Sequence, residues 1–215
     1  MIGPLSDATL AARRALIALG RRYFGLGWLF ATVGNLSARV GDRVVITASG
    51  RHKGDLVDAD FVEVDLAGRL VGAGFEGGRA SAEAAIHLAV YRAHPDAGFC
   101  LHVHTVASTL VAGGRRDLGE LRAGVPVVVL SGLEMLKAWD LWDEDVVAAL
   151  PVFDNHADVA RIAAEVAAYF AHRPRPPVPA LIVRGHGITA WGPDAFSANR
   201  HLEATEFLCQ VVGAR

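Results

Sequence analysis

The stretch Phe99-Cys100-Leu101-His102-Val103-His104-Thr105 constrains this chain more than any other. Apolar Phe99, Leu101 and Val103 alternate with Cys100, His102 and His104, and a strand repeats every two residues, so the segment predicts a β-strand with both histidines on one face. Side chains two apart on a strand are rooted about 6 to 7 Å from each other, close enough for two imidazoles to meet one ion at about 2.0 to 2.1 Å each. A His-x-His pair alone equally describes two polar residues on a solvated face. His186 tips the balance, because Gly185 and Gly187 flank it in a tight turn where the backbone can approach a bound group and the ring can point at it. His186 could thus supply the third ligand that a catalytic metal site with an open position requires.

The remainder of the chain must scaffold that site. Its 215 residues, 52% apolar and 20% charged, fit one α/β domain over 1–215 with a sizeable core. A formal net charge of -2 leaves no basic field for nucleic acid or an anionic membrane, so small molecules are the expected partners. Cys100 and Cys209 form neither a CxxC pair nor a disulfide framework, as in a reducing cytosol. Arg13 and Arg14 interrupt the first apolar segment, and no run reaches the roughly 18 uncharged apolar residues of a spanning helix. The expected location is cytoplasmic.

In chain order, Ser6 and Asp7 suit a helix N-cap, and Ala12, Leu16, Leu19 and Tyr23 form the stripe of a helix ending near Gly25. Residues 31–39 and Val44-Val45-Ile46, joined at Gly41-Asp42, read as a hairpin, and Phe61–Asp65 as a further strand. Gly72 to Gly78 reads as a flexible connection. A helix follows Ser81-Ala82-Glu83, with Ile86, Ala89, Val90 and Ala93 inward, and another runs from Thr105 to Gly113-Gly114. Val125 to Leu130 reads as a buried strand, Asp143 to Ala149 as a peripheral short helix or loop, and Asn155 as the cap of a helix burying Val159, Ile162, Val166 and Phe170. The proline-rich Arg173 to Pro179 run is a stiff linker. Leu181 and Trp191 lie in two strands joined at His186, and Pro193 and Asp194 open the last helix.

Three further places carry chemistry. The loop Thr47-Ala48-Ser49-Gly50-Arg51-His52-Lys53-Gly54 offers hydroxyls, flexible backbone N–H groups and basic side chains, the makings of an anion nest or of an ordinary polar turn. Glu83 and His87 stand one helical turn apart. Glu134 lies just beyond a core strand, where a carboxylate can be partly desolvated and a surface acid is the commoner case.

Taken together, Gly34-Asn35-Leu36-Ser37, Thr47-Ala48-Ser49-Gly50, Ser81-Ala82-Glu83, His102-Val103-His104 and Arg184-Gly185-His186-Gly187 resemble the class II aldolase and adducin family in order and spacing, over nearly the whole chain. Arg51-His52-Lys53-Gly54, Cys100–Val106, Glu134-Met135-Leu136-Lys137 and His186–Gly192 are similar to its branch of dehydratases acting on a methylthio-substituted ketose 1-phosphate in methionine salvage. The resemblance implies an α/β/α sandwich around a mostly antiparallel sheet, a homotetramer, and one zinc per subunit on His102, His104 and His186. It assigns the phosphate to Thr32, Asn35, Ser49, Gly50 and Ser81, with Lys53 and Lys137 added from that branch. Ala82 replaces a second serine found in some aldolases. Glu83 matches the acid that is the base in aldolase relatives, whereas in the dehydratases that role passes to the residue matching Glu134, with Glu83 as support. A sugar-phosphate aldolase or ribulose-phosphate 4-epimerase would use the same parts. A non-catalytic adducin-like module should lack the complete histidine set.

Overall fold

Helix α1 (Asp7–Gly25) starts where the Ser6 hydroxyl accepts from Thr9 N at 3.2 Å, and it buries Ala12, Leu16 and Tyr23 against the sheet, as its apolar spacing predicts. The strands follow as β1 (Asn35–Val40), β2 (Arg43–Thr47) and β3 (Phe61–Asp65), then α2 (Ala84–Ala93), β4 (Phe99–Val103) and α3 (Val106–Gly114). The chain continues through β5 (Gly119–Glu120), β6 (Pro126–Ser131), β7 (Val147–Phe153), α4 (Val159–His172), β8 (Ala180–Val183), β9 (Gly187–Gly192) and α5 (Ala195–Gly213). This computed structural model describes residues 5–72, 78–114, 119–120, 124–173 and 178–214. The expected flexible connection and most of the proline linker, at 73–77 and 174–177, lie outside them.

The described strands form one sheet in the order β3-β2-β1-β4-β9-β8-β7-β6-β5, antiparallel throughout except between β7 and β8. One apolar layer joins residues of α1, α3 and α5 to one face, including Leu101, Val103 and Leu136. A second joins α2 and α4 to the other face, including Cys100, Leu181 and Trp191. The α/β/α sandwich expected from the motifs is therefore present.

Two local expectations give way. Asp158, not Asn155, caps α4, its Oδ1 accepting from Ala160 N at 3.0 Å; both residue types suit a cap, and Asp158 immediately precedes the first helical residue. The acidic 143–149 segment becomes strand from Val147 onward, because β6 offers it a pairing edge in which Ser131 faces Val147 and Leu130 faces Ala148.

Strand directions fix what can meet at the site. β4 ends where β9 begins, with Val103 opposite Ile188, and β8 ends there too, with Val183 opposite Gly187. His104 and Gly187 mark this upper end of the sheet. β7 runs parallel to β8, and β6 runs against β7, so β6 finishes with Ser131 at the lower end.

Candidate metal centre

Register places His102 of β4 directly opposite Asn35 of β1 and Thr189 of β9, in one row on the face covered by α2. His104 follows two residues later at the upper end of β4, and His186 occupies the turn before β9. Glu83 stands immediately before α2. Ligand-type atoms of Glu83, His102, His104 and His186 all lie within 4.8 Å of one another.

Close backbone approach makes this convergence possible. A Cβ on Gly187 would fall 2.1 Å from Val103 O, and one on Gly34, at φ +73°, would fall 2.8 Å from His102 O. Any larger residue at either position would push β9 or the β1 entry away from the histidine strand.

The hydrogen bonds show how the rings are set. His102 Nδ1 lies 2.9 Å from Ile188 O, and a carbonyl can only accept, so Nδ1 is the donor and Nε2 presents a bare lone pair. Thr189 Oγ1, 3.1 Å from the same nitrogen, supports that orientation. Nε2 of His102 and of His104 face each other at 3.1 Å. His186 Nε2 donates to Glu83 Oε1 at 2.7 Å, and Asn35 Nδ2 donates to Glu83 Oε2.

Electrostatics prepare the same groups. Burial holds His102 well below the ordinary imidazole range and brings His104 down to about 4, against the pull of Glu83. Burial works to raise Glu83, but the His186 hydrogen bond and the surrounding imidazoles overcome it and hold the carboxyl at about 2. At neutral pH His102 and His104 are neutral and Glu83 is ionised, which is the protonation state in which nitrogen and oxygen ligands bind a divalent cation. Three imidazoles with a carboxylate beside them suit a divalent metal ion, and the Nδ1–H bond of His102 to a backbone carbonyl is the second contact that metal-bound histidines commonly make.

Residues expected to hold an anion come together beside this cluster. Ala48 bridges to Ala80 and Ser49 N donates to Arg79 O at 2.9 Å, so Ser49 and Gly50 come alongside Ser81. Ser81 Oγ accepts from Asn35 Nδ2 and from Glu83 N, each at 3.4 Å. Lys53 is buried, with Nζ donating to Thr32 O and Arg51 O at 2.7 Å each. Burial lowers its ammonium to about 8, while Glu83 and Asp60 favour the charge. Asn35 Oδ1 is buried without a partner and can accept from a bound hydroxyl.

Glu134 and Lys137 are elsewhere. They lie on a short 3-10 helix, Glu134–Trp139, whose Leu136 and Trp139 join the apolar layer of the opposite face. That helix follows β6 off the lower end of the sheet, four strands from β4. The Glu134 side chain is 83% exposed and accepts from Lys137 Nζ at 2.8 Å, so the expected desolvation is absent in a single chain. Sequence reasoning misses Thr189 and the Ile188 carbonyl, because their roles depend on the register between β4 and β9, which no motif states.

The family model for the Class II Aldolase and Adducin N-terminal domain matches residues 14–212. Curated relatives include methylthioribulose-1-phosphate dehydratase of Leptospira biflexa, 40% identical over 210 residues that cover 96% of this chain and 98% of that protein. The protein of the same name from Acidiphilium cryptum is 43% identical over 210 residues, covering 96% of this chain and 92% of its own. Among solved structures, L-fuculose-1-phosphate aldolase from Thermus thermophilus superposes with a TM-score of 0.70 at 23% identity, covering 95% of this chain and 94% of that one. YgbL from Escherichia coli gives 0.77 at 20% identity, with 96% and 89% covered. These structures share the fold.

Proposed function

Because the chain belongs to the class II aldolase and adducin family, we propose that it is a lyase that dehydrates 5-methylthioribulose 1-phosphate to 2,3-diketo-5-methylthiopentyl 1-phosphate. The observation that carries the reading is the convergence of His102, His104, His186 and Glu83 at the upper end of the sheet, in a chain so similar over its length to proteins of that name. His102, His104 and His186 would hold the metal, zinc in this reading. Bound there, the ion would supply Lewis-acid polarisation of the ketose oxygens and so make the adjoining C3–H more acidic.

The chain's own groups do the rest. Thr32, Asn35, Ser49, Gly50, Lys53 and Ser81 hold the phosphate beside the cluster and so orient C3 and C4 over Glu83. Glu83 is ionised and takes the C3 proton; the electron pair left behind expels the C4 hydroxyl, and Glu83 gives the same proton to it, so that it departs as water. The resulting enol tautomerises to the 2,3-diketone. Atoms balance as substrate minus one water, with no oxidant. Glu134 can serve this chemistry only when a second copy delivers it, with Lys137, to these histidines, and the homotetramer implied by the family resemblance would provide that copy. Among the described residues no helix is long and apolar enough to cross a membrane, and the reading places the chain in cytosolic methionine salvage.

The test is metal analysis of the purified protein together with product mass after incubation with methylthioribulose 1-phosphate. We expect one zinc per chain and a product lighter by one water, with the dephosphorylated ketose bound at least about tenfold worse, as lost charge-assisted hydrogen bonds require. In His186→Ala both metal and turnover should fall. Cleavage of the ketose to a triose phosphate, or full metal occupancy in His186→Ala, would overturn the reading.

A further inference from the structure

Below the metal cluster the junction between β1 and α2 is tied by polar side chains in a buried region where apolar packing would suffice. Asn35 and Ser37 are two apart on β1 and share a face; Glu83, His87 and Tyr91 are four apart and share a side of α2. Asn35 bonds Glu83. One step further down, Ser37 Oγ lies 2.7 Å from His87 Nδ1 and 2.9 Å from Tyr91 Oη, and 3.3 Å from Cys100 O on the neighbouring strand. Ser37 and His87 are fully buried and Tyr91 is 1% exposed.

The proton count of this set has one complete solution. A serine hydroxyl has one hydrogen and two lone pairs, and the Cys100 carbonyl can only accept. Ser37 therefore donates to Cys100 O and accepts from both Tyr91 O–H and His87 Nδ1–H, satisfying all three contacts together. His87 Nε2 is then a bare lone pair, and it is the atom of that ring left without a partner. The cost of burying it, with a serine and a tyrosine hydroxyl alongside, calls for a function that apolar residues would not supply.

We propose that His87, held by Ser37 and Tyr91, is the positioning residue for Glu83: it fixes the rotation and register of α2 against β1 so that the Glu83 carboxylate stands against His186 and Asn35. The inference rests on the proposed role of Glu83 at the metal site. Two contacts one helical turn apart define both where a helix sits along a strand and how it is rotated, whereas the Asn35–Glu83 contact alone defines only one point. Removing the lower contact leaves all three histidines in place and lets Glu83 wander.

The experiment is a double-mutant cycle between His87→Phe and Glu83→Gln, read as the Co2+ dissociation constant of the full-length protein and, separately, as kcat and KM for the ketose phosphate. His87→Phe should weaken Co2+ binding and lower kcat by about 10- to 100-fold with KM little changed, the usual size for a group behind the ligands. In the Glu83→Gln background the same change should cost almost nothing, because its target is gone. His87→Asn, whose amide can take the place of Nδ1, should restore much of the loss. Equal losses in both backgrounds, or no loss in either, would overturn the proposal. The Co2+ arm decides even if the ketose phosphate proves not to be the substrate. Should His87→Phe fail to fold, Ser37→Ala carries the same cycle.

Discussion

Glu83 and Glu134 both bond a basic or potentially basic side chain, yet they occupy opposite ends and opposite faces of one sheet. Around Glu83, 18% exposed, His186 Nε2 donates at 2.7 Å, Asn35 is held by strand pairing and His102 by the Ile188 carbonyl. Around Glu134, 83% exposed, the partner is Lys137 on the same short helix, with its ammonium also 5.5 Å from the Trp142 ring. The difference shows what makes a carboxylate chemically useful. A group surrounded by elements from three other places in the chain has its charge and direction set by the fold, while one paired within its own turn is set by water.

Glutamine substitution at the two positions should widen that contrast more than any other change. Glu83→Gln keeps the shape and removes the proton acceptor, so turnover should fall by roughly 10²-fold or more. In the same assay Glu134→Gln measures whether an assembled neighbour brings that carboxylate to the histidines. An equal loss there, with metal content unchanged, would mean that the site is shared between copies. Normal turnover would confine the proton chemistry to Glu83. Normal turnover in Glu83→Gln would remove the base from the upper end altogether.

Much of the upper end is legible in the amino-acid order alone. The alternation of Phe99 to Thr105 announces two histidines on one face, and the glycines around His186 announce a close turn; both are local signals set by backbone geometry. Membership of Asn35, Ser49, Lys53 and Ser81 in one pocket comes from family likeness, and the strand pairings explain it, because β1 and β2 reach the upper end at Asn35 and Thr47. The placement of Glu134 is not legible. Its distance from the histidines depends on β6 running against β7 and on β7 running parallel to β8, facts about pairing order that no window of sequence contains. The Ser37–His87–Tyr91 set is hidden for the same reason, although the four-residue spacing from Glu83 to His87 to Tyr91 is there to be read.

A smaller effect separates the two regions by pH. Full burial holds His87 at about 4 against an ordinary 6.5, with Glu83 opposing the shift. The unfolded chain therefore takes up a proton below pH 6.5 that the folded chain refuses until about pH 4, so stability falls as pH drops through that window. The full loss is about 3 kcal/mol, at 1.36 kcal/mol per pKa unit. Urea titrations of the metal-free protein between pH 7 and pH 4 should show a shallower decline in His87→Phe than in the unaltered chain. Parallel declines would mean that His87 is already protonated in the folded state.

The smallest effect belongs to the lower end. Lys137 is bonded to an exposed carboxylate three residues before it, and the Lys137 side chain is itself 39% exposed. Water solvates both charges nearly as well when they are apart, and ordering two long side chains costs entropy, so such a pair contributes about 0 to 1 kcal/mol. The Trp142 ring adds a weak attraction of about 0.5 to 1 kcal/mol at an exposed position. Lys137→Ala should accordingly lower the unfolding free energy of dilute protein by no more than about 2 kcal/mol, with the loss shrinking in high salt. The same measurement repeated across a range of protein concentrations tests whether the segment is as free as one chain shows it. A cost that grows with concentration and resists salt would mean that Glu134 and Lys137 are desolvated against another copy, and the contrast with Glu83 would then hold only for the isolated chain.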